Sequence, residues 1–192
     1  MVKASEKLDM TSGPLFKKIV VFAIPLMVTS ILQLLYNAAD MIVVGKFAGP
    51  QSFAAVGSTT SLINLIVNLF MGLSMGTGVI AAQSIGAKNK QRLFKTVHTS
   101  ILLSVIVGFL VGAFGFIVCR YLLALMSCPL DVIDKATLYM RVYFCGMPGF
   151  MVYNFGAAIL RSAGDTKRPL IILSVSGIAN VLLNVVFVLF FQ

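Results

Sequence analysis

Charge enters this chain in short bursts separated by long apolar stretches. Between Lys18 and Lys46 the one charged residue is Asp40, and between Lys46 and Lys88 there is none. A bilayer core of ~30 Å takes about 20 apolar residues per helix, so the pattern predicts membrane-spanning helices. Five are expected, over 19–44, 53–85, 96–119, 135–160 and 170–191. Pro25 falls inside the first and Pro148 inside the fourth, where neighbouring groups can satisfy the carbonyl that each proline frees. The uncharged stretch from Lys46 to Lys88 exceeds one span and falls short of two with a loop. A short loop at 47–52, turning on Gly49-Pro50, therefore leaves a long and tilted second helix.

Composition agrees. Hydrophobic residues make up 59% of the 192 and charged residues 11%, with a mean hydropathy of +0.99. Soluble domains carry roughly a quarter charged residues. The class is therefore all-α, a polytopic membrane helix bundle; a β-barrel would show short alternating segments. The net charge of +9 sits between the apolar runs with no basic stripe of interleaved aromatics, which excludes a nucleic-acid partner. Alternating sides through five spans, eleven basic residues fall on one side (Lys3, Lys7, Lys17, Lys18, Lys88, Lys90, Arg92, Lys95, Arg161, Lys167, Arg168) and four on the other (Lys46, Arg120, Lys135, Arg141). Basic excess marks the cytoplasmic face. Residues 1–18 thus read as a cytoplasmic segment, and 19–192 as a multi-pass unit in the plasma membrane. The start shows no short apolar region followed by a small-residue cleavage site, so the first run reads as a retained helix. Cys119, Cys128 and Cys145 are odd in number and lack CxxC spacing, which makes them small buried hydrophobes rather than a disulfide frame or zinc site.

The candidate chemistry lies on the first helix. Counting back from Asp40 at helical spacing gives Asn37, Tyr36 and Gln33 on one face. A carboxylate in mid-membrane costs about 3 kcal/mol on insertion scales and marks function by default. Here it can bind and release a proton, or meet Na⁺ as an oxygen ligand. The fifth helix offers Asn180 and Asn184 at i, i+4, with Ser176 one turn earlier, and the fourth offers Asn154; together they outline one polar chamber. Asn64 and Asn68 in the second helix read as interhelical glue, and Gly72-x-x-x-Gly76 and Gly108-x-x-x-Gly112 as close helix contacts. His98 reads as an interface residue. With one His, no HExxH, GxSxG or Walker loop and no paired intramembrane carboxylates, enzyme chemistry is not expected.

Several motifs together carry a resemblance: Ile24-Pro25, Tyr36-Asn-Ala-Ala-Asp40 leading to Val44-Gly45, Gln83-x-x-Gly86-Ala87, the turn Leu160-Arg-Ser-Ala-Gly-Asp-Thr-Lys167, and Asn180-x-x-x-Asn184. From Phe16 to Gln192 the chain resembles the first part of a multidrug and toxic compound extrusion (MATE) transporter. The resemblance implies twelve helices in two six-helix lobes, extruding lipophilic, often cationic small molecules by alternating access as H⁺ or Na⁺ enters. No cofactor besides the coupling ion is implied. Asp40 would be the coupling residue, with Tyr36, Asn154, Asn180 and Asn184 as neighbours and Gln33, Asn37 and Ser176 lining the substrate cavity. Some members carry Asp where Asn184 stands, so one titratable group is expected here rather than two. The chain stops after the fifth helix, whereas alternating access needs two units rocking about a site; the amino-terminal lobe alone is not expected to transport without its second lobe. Two rivals are a lipid-linked oligosaccharide flippase of similar architecture and a non-transporting membrane assembly subunit. The flippase would line its cavity with basic residues, and here those lie at or near span ends; the subunit would leave Asp40 dispensable.

Overall fold

The computed structural model describes residues 15–47 and 49–190. Most of the expected segment 1–18, and the expected end of the last helix at 191, lie outside these residues. Six helices follow in order: α1 Leu15–Phe47, α2 Gly49–Gly86, α3 Lys90–Leu125, α4 Ile133–Cys145, α5 Met147–Ser162 and α6 Lys167–Phe190. Four of them, α1, α2, α3 and α6, are long and apolar enough to cross a membrane. The pair α4 and α5 makes a fifth span if the two, bent by 48°, are counted together.

Three departures from the sequence reading have physical causes. The loop expected at 47–52 is replaced by helix almost throughout, since α2 already begins at Gly49. Gly49 turns the chain at φ +82°, and Pro50 suits a first helical turn, where its missing N–H costs nothing. α3 extends beyond 96–119 at both ends. Asn89 caps its start, its Oδ1 accepting from Arg92 N at 2.9 Å, and the Lys and Arg of that turn are good helix formers. The single helix expected at 135–160 is broken at Gly146. Pro148 has no N–H to offer the Phe144 carbonyl four residues back, and glycine at 146 lowers the cost of the bend.

The core is assembled around α3. Leu123, Met140, Phe144, Met147, Met151 and Phe155 are buried together, where α3 meets α4, α5 and α2. The glycines of α3 make this contact possible. A Cβ on Gly112 would stand 2.8 Å from the Phe144 carbonyl oxygen, and one on Gly108 would stand 2.7 Å from Pro148 Cα. A Cβ on Gly115 would run into the Phe144 ring. The α-hydrogens of Gly112 therefore face the carbonyl that Pro148 leaves without its helical donor, an arrangement suited to a weak C–H···O contact. The matching expectation for α2 is corrected: among the described residues Gly72 and Gly76 have no neighbour in close contact, and the close contact belongs to Gly78, against the backbone of Ala158. Asn64 and Asn68 are likewise exposed rather than acting as glue, and of the cysteines Cys145 is exposed while Cys119 and Cys128 are buried.

α1 and α6 stand to one side of this core. α1 packs on α6 and α2, and α6 packs on α1 and more lightly on α5. α1 runs unbroken through Pro25, whose own carbonyl accepts the buried Thr29 hydroxyl at 2.7 Å. The α5–α6 turn is closed by Gly164 at φ +79° and by buried Asp165. This carboxylate accepts from Arg168 N at 3.1 Å and pairs with Arg168 Nε at 3.0 Å.

Candidate functional site

The α1–α6 contact builds the site from two polar ties one turn apart. On α1, Tyr36 turns toward α6 and donates its hydroxyl to the Ser174 carbonyl at 3.3 Å. Its ring lies against Gly177, where a Cβ would clash with the Cε2, Cζ and Cδ2 atoms of the ring. One turn further along α1, Asp40 Oδ1 accepts from Asn184 Nδ2 at 2.5 Å. Both ties advance in the same direction along both helices, so α1 and α6 run parallel here. A tyrosine in a helix leans toward the helix N-terminus, which is why Tyr36 reaches back to Ser174 while Asp40 meets residues further on.

Asn180 completes the group. With its amide nitrogen toward the carboxylate it donates to Asp40 Oδ1 at 3.0 Å and to Oδ2 at 3.3 Å. Turned the other way, its oxygen accepts from Asn184 Nδ2 at 3.3 Å. An ionised carboxylate only accepts, so it selects the first orientation; a protonated one can donate to the Asn180 oxygen and tolerates the second. The amide is thus matched to both charge states of Asp40. The Asp40 oxygens and an amide oxygen of Asn180 or Asn184 are hard-oxygen donors of the kind that could serve a hard cation.

The other expected residues fall differently. Asn154, half-buried on α5, donates to its own helix at the Phe150 carbonyl, 2.8 Å. α5 packs lightly on α6, and Asn154 makes no hydrogen bond to Asp40, Asn180 or Asn184 among the described residues. Asn37 and Ser176 are exposed and Gln33 is half-buried; none of the three has a hydrogen-bond partner among the described residues. Two contributors went unread. The Ser174 carbonyl receives the Tyr36 hydroxyl, and Gly177 seats the Tyr36 ring. Neither offers side-chain chemistry to search for. His98, exposed near the start of α3, stacks on Phe94 with ring centroids 3.9 Å apart.

Comparison with known proteins converges on one family. Residues 25–186 match the MatE family model. The chain is similar to a probable multidrug resistance protein, YoeA, of Bacillus subtilis: 32% identical over 168 residues, or 88% of this chain and 36% of that one. Among solved structures it is similar to a MOP superfamily transporter from Pyrococcus furiosus, at 31% identity and a TM-score of 0.89, over 98% of this chain and 42% of that one. A MATE structure in the bent conformation matches at 31% identity and a TM-score of 0.88, over 97% of this chain and 41% of that one. The chain spans about two-fifths of the length of the curated relatives it matches.

Proposed function

The chain belongs to the multidrug and toxic compound extrusion (MATE) family, and from that premise we propose that it forms the amino-terminal lobe of an efflux antiporter coupled to H⁺ or Na⁺. Its cargo would be lipophilic, cationic small molecules, moved outward across the plasma membrane in company with a second lobe. The multidrug resistance named for its Bacillus relative supports the substrate class. The chain carries ten methionines and fifteen phenylalanines, adaptable side chains that suit a protein accepting many shapes. The basic residues gathered at the start of α1 and at the α2–α3 and α5–α6 turns support a cytoplasmic N-terminus.

One observation carries the reading: a carboxylate on an apolar helix, met across a parallel helix pair by two amides and by little else. Ionised, Asp40 draws amide donors from α6 and ties α1 to it through charge-assisted hydrogen bonds, roughly twice as strong as neutral ones. A proton or Na⁺ arriving from outside neutralises the carboxylate and weakens that grip. α1 then repacks against α6, and the cavity changes its affinity for cargo. Drug entering from the inside favours the ionised form, since a cationic cargo and a coupling cation compete for the same charge. Because Asn184 is not an acid, a single titratable group performs the exchange.

The test is drug-coupled ion movement in proteoliposomes holding this lobe together with its second lobe. Asp40→Asn keeps the shape and removes the charge. It should abolish proton release on drug addition and any Na⁺ dependence of efflux. Efflux unchanged in Asp40→Asn would end the proposal.

A further inference from the structure

We propose that Gly177 is the positioning residue of the Asp40 site, setting how closely and in what register α1 lies against α6. The inference rests on the reading of Asp40 as the coupling group, and adds a residue that contributes no polar atom of its own.

Gly177 is buried in the α1–α6 contact. Its backbone is ordinary helix, without a positive φ, so nothing about its conformation calls for glycine. Alanine would in fact favour the helix by about 1 kcal/mol. What calls for glycine is the Tyr36 ring, which occupies the space of the missing Cβ. The ring lies edge-on to Gly177 with its Cδ2, Cε2 and Cζ atoms nearest, and its hydroxyl reaches the Ser174 carbonyl at 3.3 Å. An added methyl group must therefore push α1 away from α6 or break that tie.

Either response is felt one turn on. The Asn184–Asp40 bond is 2.5 Å and the Asn180 contacts are 3.0 and 3.3 Å. N–H···O hydrogen bonds run from about 2.7 to 3.2 Å, so a retreat of about 1 Å takes both amides out of that range. Gly177 thus keeps the two α6 amides on Asp40 through a ring, a hydroxyl and one helical turn.

The experiment uses this chain in lipid nanodiscs and dicyclohexylcarbodiimide, an apolar reagent that adds to protonated carboxyls. The adduct on Asp40 is followed by mass spectrometry against pH, with Asp40→Asn as the baseline lacking it. Amides donating to the carboxylate favour its charged form. Gly177→Ala should therefore speed labelling at pH 7 by about tenfold and move the pH midpoint of labelling accordingly. With Tyr36→Ala already in place there is no ring to displace, and Gly177→Ala should then change the rate by less than about twofold. An unchanged rate beside Tyr36, or the same change in both backgrounds, overturns the proposal. If Gly177→Ala loses its monodisperse peak on gel filtration, Tyr36→Ala must restore it, and failure to do so also overturns the proposal. The labelling reads the surroundings of Asp40 and not transport. Failure of the coupling reading shows instead as unaltered drug-coupled ion flux in Asp40→Asn.

Discussion

The amides around Asp40 are unequal, and the inequality follows from what each side chain touches. Asn184 gives its amide hydrogen to a half-buried carboxylate, whereas Asn37, only three residues from Asp40 on the same helix, is exposed. Interhelical hydrogen bonds in membranes average about 0.6 kcal/mol and reach about 1.7. A charged acceptor places this bond at the upper end. Asn184→Ala should thus lower the stability of the chain in detergent by about 1–2 kcal/mol, while Asn37→Ala stays within about 0.5 kcal/mol. Denaturant titration followed by circular dichroism would measure both, and equal losses would show that Asn184 is not engaged with Asp40. Helical spacing was enough to place Asp40, Tyr36, Asn180 and Asn184 as candidates, because polar side chains on apolar helices are conspicuous. It did not separate them from Asn37, Gln33, Ser176 and Asn154. Residues 36, 37 and 40 fall within one broad face, and only the direction of the neighbouring helix decides which of them is engaged. Ser174 and Gly177 were illegible for a different reason: one contributes a backbone carbonyl and the other an absence of side chain.

At the scale of elements, the same motif has two fates. Gly108-x-x-x-Gly112 on α3 meets the broken α4–α5 pair at backbone distance, while Gly72-x-x-x-Gly76 on α2 meets no atom within 4 Å among the described residues. Adding a methyl group at Gly112 forces α3 off the Phe144 carbonyl, an overpacking that typically costs 1–3 kcal/mol. At Gly72 the methyl group has room, and the helix gains from losing a glycine, by about 1 kcal/mol at most. Thermal unfolding should therefore rank Gly112→Ala below the parent chain and Gly72→Ala at or above it; the opposite order would contradict the α3–α4 packing. The spans themselves were legible because lipid demands long charge-free runs, and charge punctuates them. The break at Gly146 was not, because Pro148 alone permits either a tolerated kink or a broken helix. The choice depends on whether a neighbour can face the freed carbonyl, and that neighbour, Gly112, lies on another helix.

For the whole molecule, the distribution of contacts divides the chain into a firm part and a loose one. α2, α3, α4 and α5 interlock around buried Phe144, Met140, Met147 and Met151, whereas α1 leans on α6 and α2, and α6 leans mainly on α1. Elements that move in function come from the low-stability end of a structure, so on the proposed coupling the α1–α6 pair is the one expected to shift. Two ties hold it together, the Tyr36 seat and the Asp40 amides, and only the second depends on charge. Hydrogen–deuterium exchange in nanodiscs should then show mid-helix amides of α1 and α6 exchanging at least about tenfold faster than those of α3 and α5, an opening cheaper by about 1.4 kcal/mol. Asp40→Asn should raise exchange in α1 and α6 together and leave α3 and α5 as they were. If α1 alone responded while α6 kept the protection of α3, the two helices would not be one mobile unit. On the proposed coupling, an ion at Asp40 would then have to act on α1 by itself, through Pro25 rather than through the shared face with α6.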